Sequence, residues 1–369
     1  MTPNTEAELA EMIKTAKGPL SVRGGGTRGM APEGEALSTS GLSGVTLYEP
    51  GALTLVAQAG TPVAEIEAVL AQENQRLAFE PMDHRVLLGS DGVPTIGGVF
   101  AANVSGPRRV AAGAARDFAL GVRYVDGSGN AIKNGGRVMK NVTGYDLVKL
   151  LCGSWGTLGV MSEVSLKVLP TPETQTSLVL DGLKPTQAVA AMSAALGSAF
   201  EVTGAAYMTR ERRTVLRIDG FEASVAYRAG QLQTHLRNFG DVAVLQADQS
   251  ASVWQDVRDV RAFAQEAGDV WRVSVKPSDG PAVLEQAQAL DAVMDWGGGL
   301  VWLRAEEGTD LRARLSKIAG HATLVRASAI TRSSLGTFEP ERSGVATLSA
   351  GLRARFDPRG ILNPGLMTV

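Results

Sequence analysis

TIGGVFAANVSG (residues 95–106) and, after an apolar segment at 121–125, NVTGYDLVKLLCGSWGTLGVMSEVSLKVLP (residues 141–170) interrupt their apolar runs with glycine and alanine. Gly97 and Gly98 have no Cβ, so the backbone there can approach a ligand closely or adopt positive φ, while Ala101, Ala102, Ser105 and Gly106 keep the surface open. Such a surface suits a flat, extended ligand. Three glycines in seven residues, from Gly153 to Gly159, read as a tight loop, and the apolar residues of 160–168 alternate as in a half-buried strand.

Upstream, SVRGGGTRG (residues 21–29) runs from a short apolar strand at 20–22 into a glycine cluster. Gly24, Gly26 and Gly29 satisfy G-x-G-x-x-G, but a Rossmann fingerprint must open a helix, and MAPEGEALSTSG (residues 30–41) is too rich in Gly, Pro and Ser to sustain one. The better reading is an anion nest, in which successive backbone N–H groups point at a pyrophosphate and Arg23 or Arg28 adds charge.

The remaining pattern predicts an α+β protein. A helix over 5–16 is capped by Thr5 with Glu8 three residues on, and Leu9, Met12, Ile13 and Ala16 share one face. Apolar runs at 45–48 and 53–57 flank Glu49-Pro50-Gly51 as a hairpin, a helix follows over 62–72, and a second hairpin turns at Asp126-Gly-Ser-Gly129. Residues 141–151 read as a short helical approach to the glycine loop, with Tyr145 packed rather than facing a ligand. The character changes after Pro170-Thr-Pro172, so the expected division is 1–172, 173–340 and 341–369. Within the middle part the order strand, helix, strand, strand, helix, strand occurs twice, over 176–246 and 270–325, with a connecting helix around Val253, Val257 and Val260. Each half fits a β-α-β-β-α-β unit, so an antiparallel, ferredoxin-like sheet with helices on one face is expected as a lid.

The 369 residues suffice for two domains, and hydrophobic and charged contents of 44% and 20% are ordinary for a globular protein. A net charge of −2 offers no basic footprint for nucleic acid. Cys152 is the single cysteine, read as a small buried hydrophobe, so neither an internal disulfide nor a cysteine-ligated iron–sulfur cluster can be built from these residues. The first residues lack the apolar core of a signal peptide, and no run of some 18 apolar residues appears, so a cytoplasmic chain without direct membrane insertion is expected, with a partner as its one route to a membrane. His84, His235 and His321 are scattered, so no metal is expected. His84 reads as a solvated loop residue, since no carboxylate sits at a spacing to orient it, and His321 as the residue after a helix-ending glycine. Arg108-Arg109 and Arg116-Asp117 read as solvated charged loops. Arg272 and Lys276, four apart on one predicted strand with Ser274 between them, are the weak catalytic candidates, and Trp302 and Arg304 share a face of another strand. The residues alone assign no catalytic base.

Taken in this order, the glycine segments, SVRGGGTRG and FDPRGILNPG (residues 356–365) resemble the FAD-binding domain of the vanillyl-alcohol oxidase or PCMH type. Within it, residues 137–160 are most similar to the E subunit of bacterial glycolate oxidase. The resemblance implies FAD bound by Arg23, Gly24, Gly25, Gly26, Thr27, Arg28, Gly29, Thr95, Ile96, Gly97, Gly98, Ala101, Asn103, Gly106, Gly156, Gly159, Val160 and Asn363. Relatives that attach flavin covalently often carry histidine where this chain has Thr27, so a non-covalent FAD is expected. The resemblance further implies oxidation of glycolate, a small 2-hydroxy acid, to glyoxylate, together with a D-type flavoprotein subunit and an iron–sulfur subunit that receives the electrons. The H-x-G-D-G-N-x-H run of the D-type relatives is absent, which favours a partner-dependent role. Two alternatives stay open: a self-sufficient FAD oxidase of another alcohol or hydroxy acid, and a flavin-binding subunit with a structural role alone.

Overall fold

A computed structural model describes residues 1–30, 32–138 and 144–367. Helix α1 (Glu6–Thr15) starts at the predicted cap: Thr5 accepts from the Glu8 amide at 3.1 Å and Glu8 reaches back to the Asn4 amide at 2.8 Å. Two amides without helical partners are thereby satisfied. Strands β1 (Leu20–Arg23) and β2 (Glu35–Ser38) pair in parallel, and the described residues between them form no helix, as their composition requires. Next come the hairpin β3 (Val45–Glu49) and β4 (Thr54–Gln58), helix α2 (Val63–Ala71), the two-residue strand β5 (Gln75–Arg76) and four short helices. These are α3 (His84–Leu88), α4 (Ile96–Ala101), α5 (Arg109–Ala112) and α6 (Ala115–Phe118). The second hairpin, β6 (Ala119–Val125) with β7 (Ala131–Gly135), precedes α7 (Leu147–Leu151), β8 (Val160–Lys167) and β9 (Leu169–Pro170). Residues 141–143 of the expected helical approach lie outside the described residues, and Asp146 caps α7 by accepting from the Lys149 amide at 3.1 Å.

These strands make a five-stranded antiparallel sheet in the order β3-β4-β8-β6-β7. As its central strand, β8 is buried on both sides rather than half-buried: Val164 and Leu166 join the main core with Ile96, Val99 and Phe100 of α4, and Val160 joins a smaller core with Leu9 and Ile13 of α1. Gly97 and Gly98 are helical rather than left-handed, because the Thr95 cap and the burial of their apolar neighbours outweigh glycine's poor helix propensity. The close approach at Gly97 is to the protein itself: a Cβ there would lie 2.6 Å from the Ala59 Cβ.

The second part runs β10 (Thr174–Asp181), α8 (Pro185–Leu196), β11 (Gly204–Met208), β12 (Arg213–Gly220), α9 (Glu222–His235), β13 (Ala243–Leu245) and the connecting helix α10 (Ala247–Arg258). It repeats as β14 (Asp269–Val275), α11 (Gly280–Ala287), β15 (Asp291–Asp295), β16 (Leu300–Ala305), α12 (Leu311–Arg314) and β17 (Gly320–Arg326). All eight strands form one antiparallel sheet, β13-β10-β12-β11-β15-β16-β14-β17. Each half has the strand order of a β-α-β-β-α-β unit, and the two second strands, β11 and β15, pair edge to edge. Because side chains alternate across a strand, Leu178, Leu216, Trp271, Val273, Val301 and Leu303 face helices α8, α9, α11 and α12 in one core. Their neighbours face the other way: Val179, Ala206 and Val215 meet Trp254 and Val257 of α10, while Val270, Val293, Leu300 and Trp302 join the main core of the first part. Helices α13 (Ala329–Leu335) and α14 (Ser343–Phe356) follow; neither was expected.

Two features join distant parts of the chain. Glu80 forks to Arg217 of β12 at 3.0 and 2.9 Å and meets Arg108 at 2.8 Å, and Arg108 also contacts Asp219. Arg108 is only 3% exposed, so the expected solvated loop is instead an ion cluster between the two sheets. After α14 the chain returns to β1: the Leu20 amide donates to the Ile361 carbonyl at 2.7 Å and the Asn363 amide to the Leu20 carbonyl at 3.0 Å. Arg359 donates to the carbonyls of Ile13, Lys14 and Ala16, where a cation complements the C-terminus of α1.

Candidate functional site

A groove of about 110 Å³ runs between the loop after β1, the N-terminal half of α4, and the loop that enters β8. Its glycines are steric necessities. A Cβ on Gly24 would lie 2.3 Å from Thr95 Oγ1, and one on Gly25 would lie 1.6 Å from the Val93 carbonyl oxygen, so the loop can rest on α4 and its approach only without side chains. Gly26 takes φ +71° and faces open space. Among the described residues, no backbone amide from Gly24 to Arg28 donates to a protein acceptor, which leaves a row of N–H groups for an anion. Arg28 adds a guanidinium 5.9 Å from the centre of the Trp155 ring, its Nε is buried without a partner, and burial lowers its pKa to about 10. This cradle fits a flat anionic group.

Of the residues expected to bind cofactor, Arg23, Gly24, Gly25, Gly26, Thr27, Arg28, Thr95, Gly97, Gly98, Ala101, Gly156, Gly159, Val160 and Asn363 line the groove. Gly29, Ile96, Asn103 and Gly106 do not. Ile96 points into the main core, because it sits on the buried side of α4. Gly106 packs on Glu80, whose carbonyl oxygen would lie 2.2 Å from a Cβ there, and its own carbonyl accepts the Trp296 indole N–H at 3.0 Å. Gly29 is exposed beyond the nest. Asn363 lines the groove as a clamp: 2% exposed, it accepts from the Val22 amide at 2.6 Å and donates to the Trp155 carbonyl at 2.8 Å and to the Val22 carbonyl at 3.3 Å. Its amide hydrogens are thus already engaged. The sequence reading missed Val22, Met30, Ala59, Trp155, Met161 and Leu366, none of which carries a glycine or charge signal except by adjacency.

Arg28, Met30, Ala102 and Trp155 also border a second cavity of about 390 Å³, so groove and chamber adjoin along these residues. Cross-strand register builds one wall: Arg272 of β14 lies opposite Trp302 of β16 and Thr323 of β17, and Ser274 lies opposite His321. All five line the chamber. The facing wall carries His84, Asn103, Ser105 and Arg109, with Phe338 and Met367 at the side. Asn103 thus belongs to the chamber; its Oδ1 accepts from the Arg116 amide at 2.9 Å. Among the described residues no aspartate or glutamate lines the space and neither Arg28, Arg109 nor Arg272 is ion-paired, although Asp117 and Asp295 lie near enough to favour the charges of Arg109 and Arg272. Arg109 and Arg272 instead stack on one indole, with guanidinium carbons 4.3 and 5.2 Å from the Trp296 ring centre. Burial, reinforced by Arg109, lowers the Arg272 pKa to about 10. Burial and the Arg28 charge push the His84 imidazole down to about 3, and burial with Arg272 lowers His321. Both rings are therefore neutral near pH 7.

Several expectations are corrected. Lys276 lies just past the end of β14, exposed, and pairs with Asp279 at 3.4 Å, because the turn at Pro277 takes it off the strand. Arg304 donates to the Ala267 carbonyl at 2.9 Å rather than facing the chamber. His84 and Arg109 are chamber residues rather than solvated ones, and His321 sits on a strand that begins at Gly320. Tyr145 is 89% exposed. Cys152 borders neither cavity, and burial pushes its thiol up to about 12. Among the described residues no group of three or more His, Cys, Asp or Glu could hold a metal ion, and no helix is long and apolar enough to cross a membrane.

A glycine cradle adjoining a chamber under an antiparallel sheet fits an FAD-binding flavoprotein, and an FAD binding domain family matches residues 1–135. The fold is that of alkyldihydroxyacetonephosphate synthase, with a TM-score of 0.70 and 16% identity over all of this chain and 77% of that one. Glycolate oxidase subunit GlcE of Escherichia coli (strain K12) is 33% identical over 97% of this chain and 96% of that protein. Glycolate oxidase subunit GlcD of Bacillus subtilis (strain 168) is 33% identical over 44% of this chain and 34% of its own length. The chain belongs to the GlcE family of FAD-binding oxidoreductases, and its cofactor is FAD.

Proposed function

We propose that this chain is the FAD-carrying E subunit of a glycolate oxidase complex, in which glycolate is oxidised to glyoxylate and the electrons pass to a partner chain. The observation that carries this reading is the chamber lined by guanidiniums and no carboxylate, adjoining the cofactor groove. The nest from Gly24 to Arg28 holds the pyrophosphate of FAD non-covalently, and bound FAD supplies the acceptor for the hydride of the substrate C–H bond. Arg272 grips the substrate carboxylate through two parallel N–H bonds, which fixes the orientation of the hydroxyl-bearing carbon. His321, neutral and on the same sheet face, takes the hydroxyl proton on a ring nitrogen. His84, with its pKa at about 3, is too weak a base for that task and serves as a hydrogen-bonding wall. Trp155, Trp302 and Phe338 exclude water around these groups. A cysteine-ligated cluster needs about four thiolates, so the next electron carrier sits on another chain, an iron–sulfur subunit working with a D-type flavoprotein. In this scheme residues 1–172 hold the cofactor, 173–340 form the lid, 341–369 return to the first part, and the cytoplasmic complex reaches a membrane only through a partner.

The test is the visible spectrum of the purified holoprotein under anaerobic conditions, before and after glycolate. Bleaching of the oxidised-flavin band is expected. A band that persists in this subunit while the assembled complex turns over would leave it a structural flavin carrier and overturn the catalytic reading.

A further inference from the structure

The Trp296 indole is 9% exposed and borders neither cavity, yet two cations of the chamber wall, Arg109 of α5 and Arg272 of β14, rest on its ring. Its backbone is strained. Trp296 takes φ +53° in the turn between β15 and β16, and Gly297 and Gly298 follow at +70° and +106°. A bulky residue in the left-handed region persists only where its surroundings fix it. Here Asp295 Oδ1 accepts the Trp296 amide at 2.7 Å, and the Gly106 carbonyl accepts the indole N–H at 3.0 Å. The same carbonyl accepts the Arg109 amide at 3.1 Å where α5 begins, so ring and arginine are referred to one oxygen atom. Arg272 is tied to the ring through the sheet: β14 pairs with β16, and β16 with β15, whose last residue is Asp295. The two guanidiniums repel each other, and Asp117 attracts Arg109 as Asp295 attracts Arg272. An indole face holds both without occupying their N–H edges, which stay available to a ligand.

We propose that Trp296 is the positioning residue of the chamber: its ring, fixed by the Gly106 carbonyl, holds Arg272 and Arg109 with their N–H edges turned to the substrate carboxylate. This rests on the glycolate reading above and adds a residue to it that touches no substrate. Arg272 grips the carboxylate, and Trp296 acts through Arg272. Because Gly106 belongs to the first part of the chain and Trp296 to the second, the same hydrogen bond sets the lid in register over the cofactor part.

The experiment compares FAD-loaded wild type with Trp296→Leu, Trp296→Phe, Arg272→Ala and the Arg272→Ala/Trp296→Leu double variant, reading the glycolate concentration that half-saturates flavin reduction. Trp296→Leu is expected to raise it about tenfold, and Trp296→Phe, which keeps an aromatic face, by no more than about threefold. The double variant should be within about twofold of Arg272→Ala alone, because the indole acts through that arginine. A general packing defect would instead multiply with Arg272→Ala, and multiplied effects overturn the proposal. So does a Trp296→Leu protein that matches wild type. Where Trp296→Leu does not fold, a folded Trp296→Phe protein that loses as much as Arg272→Ala overturns it. A second readout needs no glycolate: phenylglyoxal labelling of arginines, mapped by mass spectrometry, should be faster at Arg272 in Trp296→Leu than in wild type or Trp296→Phe. If glycolate leaves the wild-type flavin oxidised, the glycolate reading falls and the labelling still decides on Trp296. Unchanged labelling of Arg272 in a Trp296→Leu protein that holds FAD overturns its positioning role.

Discussion

Arg108 and Arg109 are neighbours with different roles: one closes an ion cluster with Glu80 and Asp219, the other stacks on Trp296 at the chamber wall. Adjacent arginines in a loop read as solvated charge, and nothing local marks them otherwise, because their acidic and aromatic partners lie far away in sequence. Arg272 was legible as a cation on a strand face, and its opposite neighbours Trp302 and Thr323 make that face a wall. Replacing Arg272 with Ala is expected to weaken hydroxy-acid binding by about 10- to 100-fold, read from the concentration dependence of flavin reduction. Thr27 lacks the imidazole that covalent attachment at this position uses, so FAD should leave with the supernatant after acid precipitation; flavin retained in the pellet would contradict this. Asp295 gives a pH signature. Burial raises its carboxyl from 3.8 to about 7, against the Trp296 amide that its Oδ1 accepts at 2.7 Å. A raised carboxyl stabilises the fold in its protonated form, so this contribution is full below about pH 4 and is lost as pH climbs to about 7. Asp295→Asn keeps the acceptor and removes the charge, so its thermal midpoint should exceed that of the wild type at pH 8, by less at pH 5, and lose the advantage below about pH 4.

At the scale of elements, helix and strand order was largely readable. Pro185 and Pro281 open helices α8 and α11 where the pattern predicts them, and the repeated order of elements gives the doubled ferredoxin-like sheet. What could not be read was which edges join: the β11–β15 pairing follows from tertiary packing, not from either segment. Helix α4 escaped notice because two glycines suggest a loop, yet a threonine cap and buried Ile96, Val99 and Phe100 hold six helical residues in place. Helix α14 escaped because its apolar residues Val345, Leu348 and Leu352 lie exposed, so no buried stripe organises its sequence. The packing of α4 makes a sharp prediction. Gly97→Ala puts a methyl group 2.6 Å from Ala59 Cβ and should cost about 1–3 kcal/mol in chemical denaturation while lowering FAD affinity, because α4 must back away from the strand that supports it.

Over the whole molecule, the two sheets are fastened by the Glu80 cluster. Burial opposes ionisation of Glu80, but the guanidiniums of Arg217 and Arg108 overcome it and hold the carboxyl at about 2, against an ordinary 4.5. A depressed carboxyl stabilises the fold above its unfolded pKa, so this contribution is present above about pH 4.5 and disappears as pH falls toward 2. Glu80→Gln leaves buried Arg217 without its anion and Arg108 with Asp219 alone, and should cost about 3–5 kcal/mol, with the acid-unfolding limb between pH 4.5 and 2 flattened relative to wild type. The closure of the groove has a consequence for biosynthesis. The Asn363 side chain joins Val22 to Trp155, although Val22 and Asn363 lie 341 positions apart. Ribosomes elongate from the N-terminus at about 5–20 residues per second, so the glycine nest is made well before Asn363 and waits for it before this wall is complete. A chain cut just before Asn363 is therefore expected to keep both sheets and to lose the flavin band in its visible spectrum, because the groove lacks the side chain that ties Val22 to Trp155.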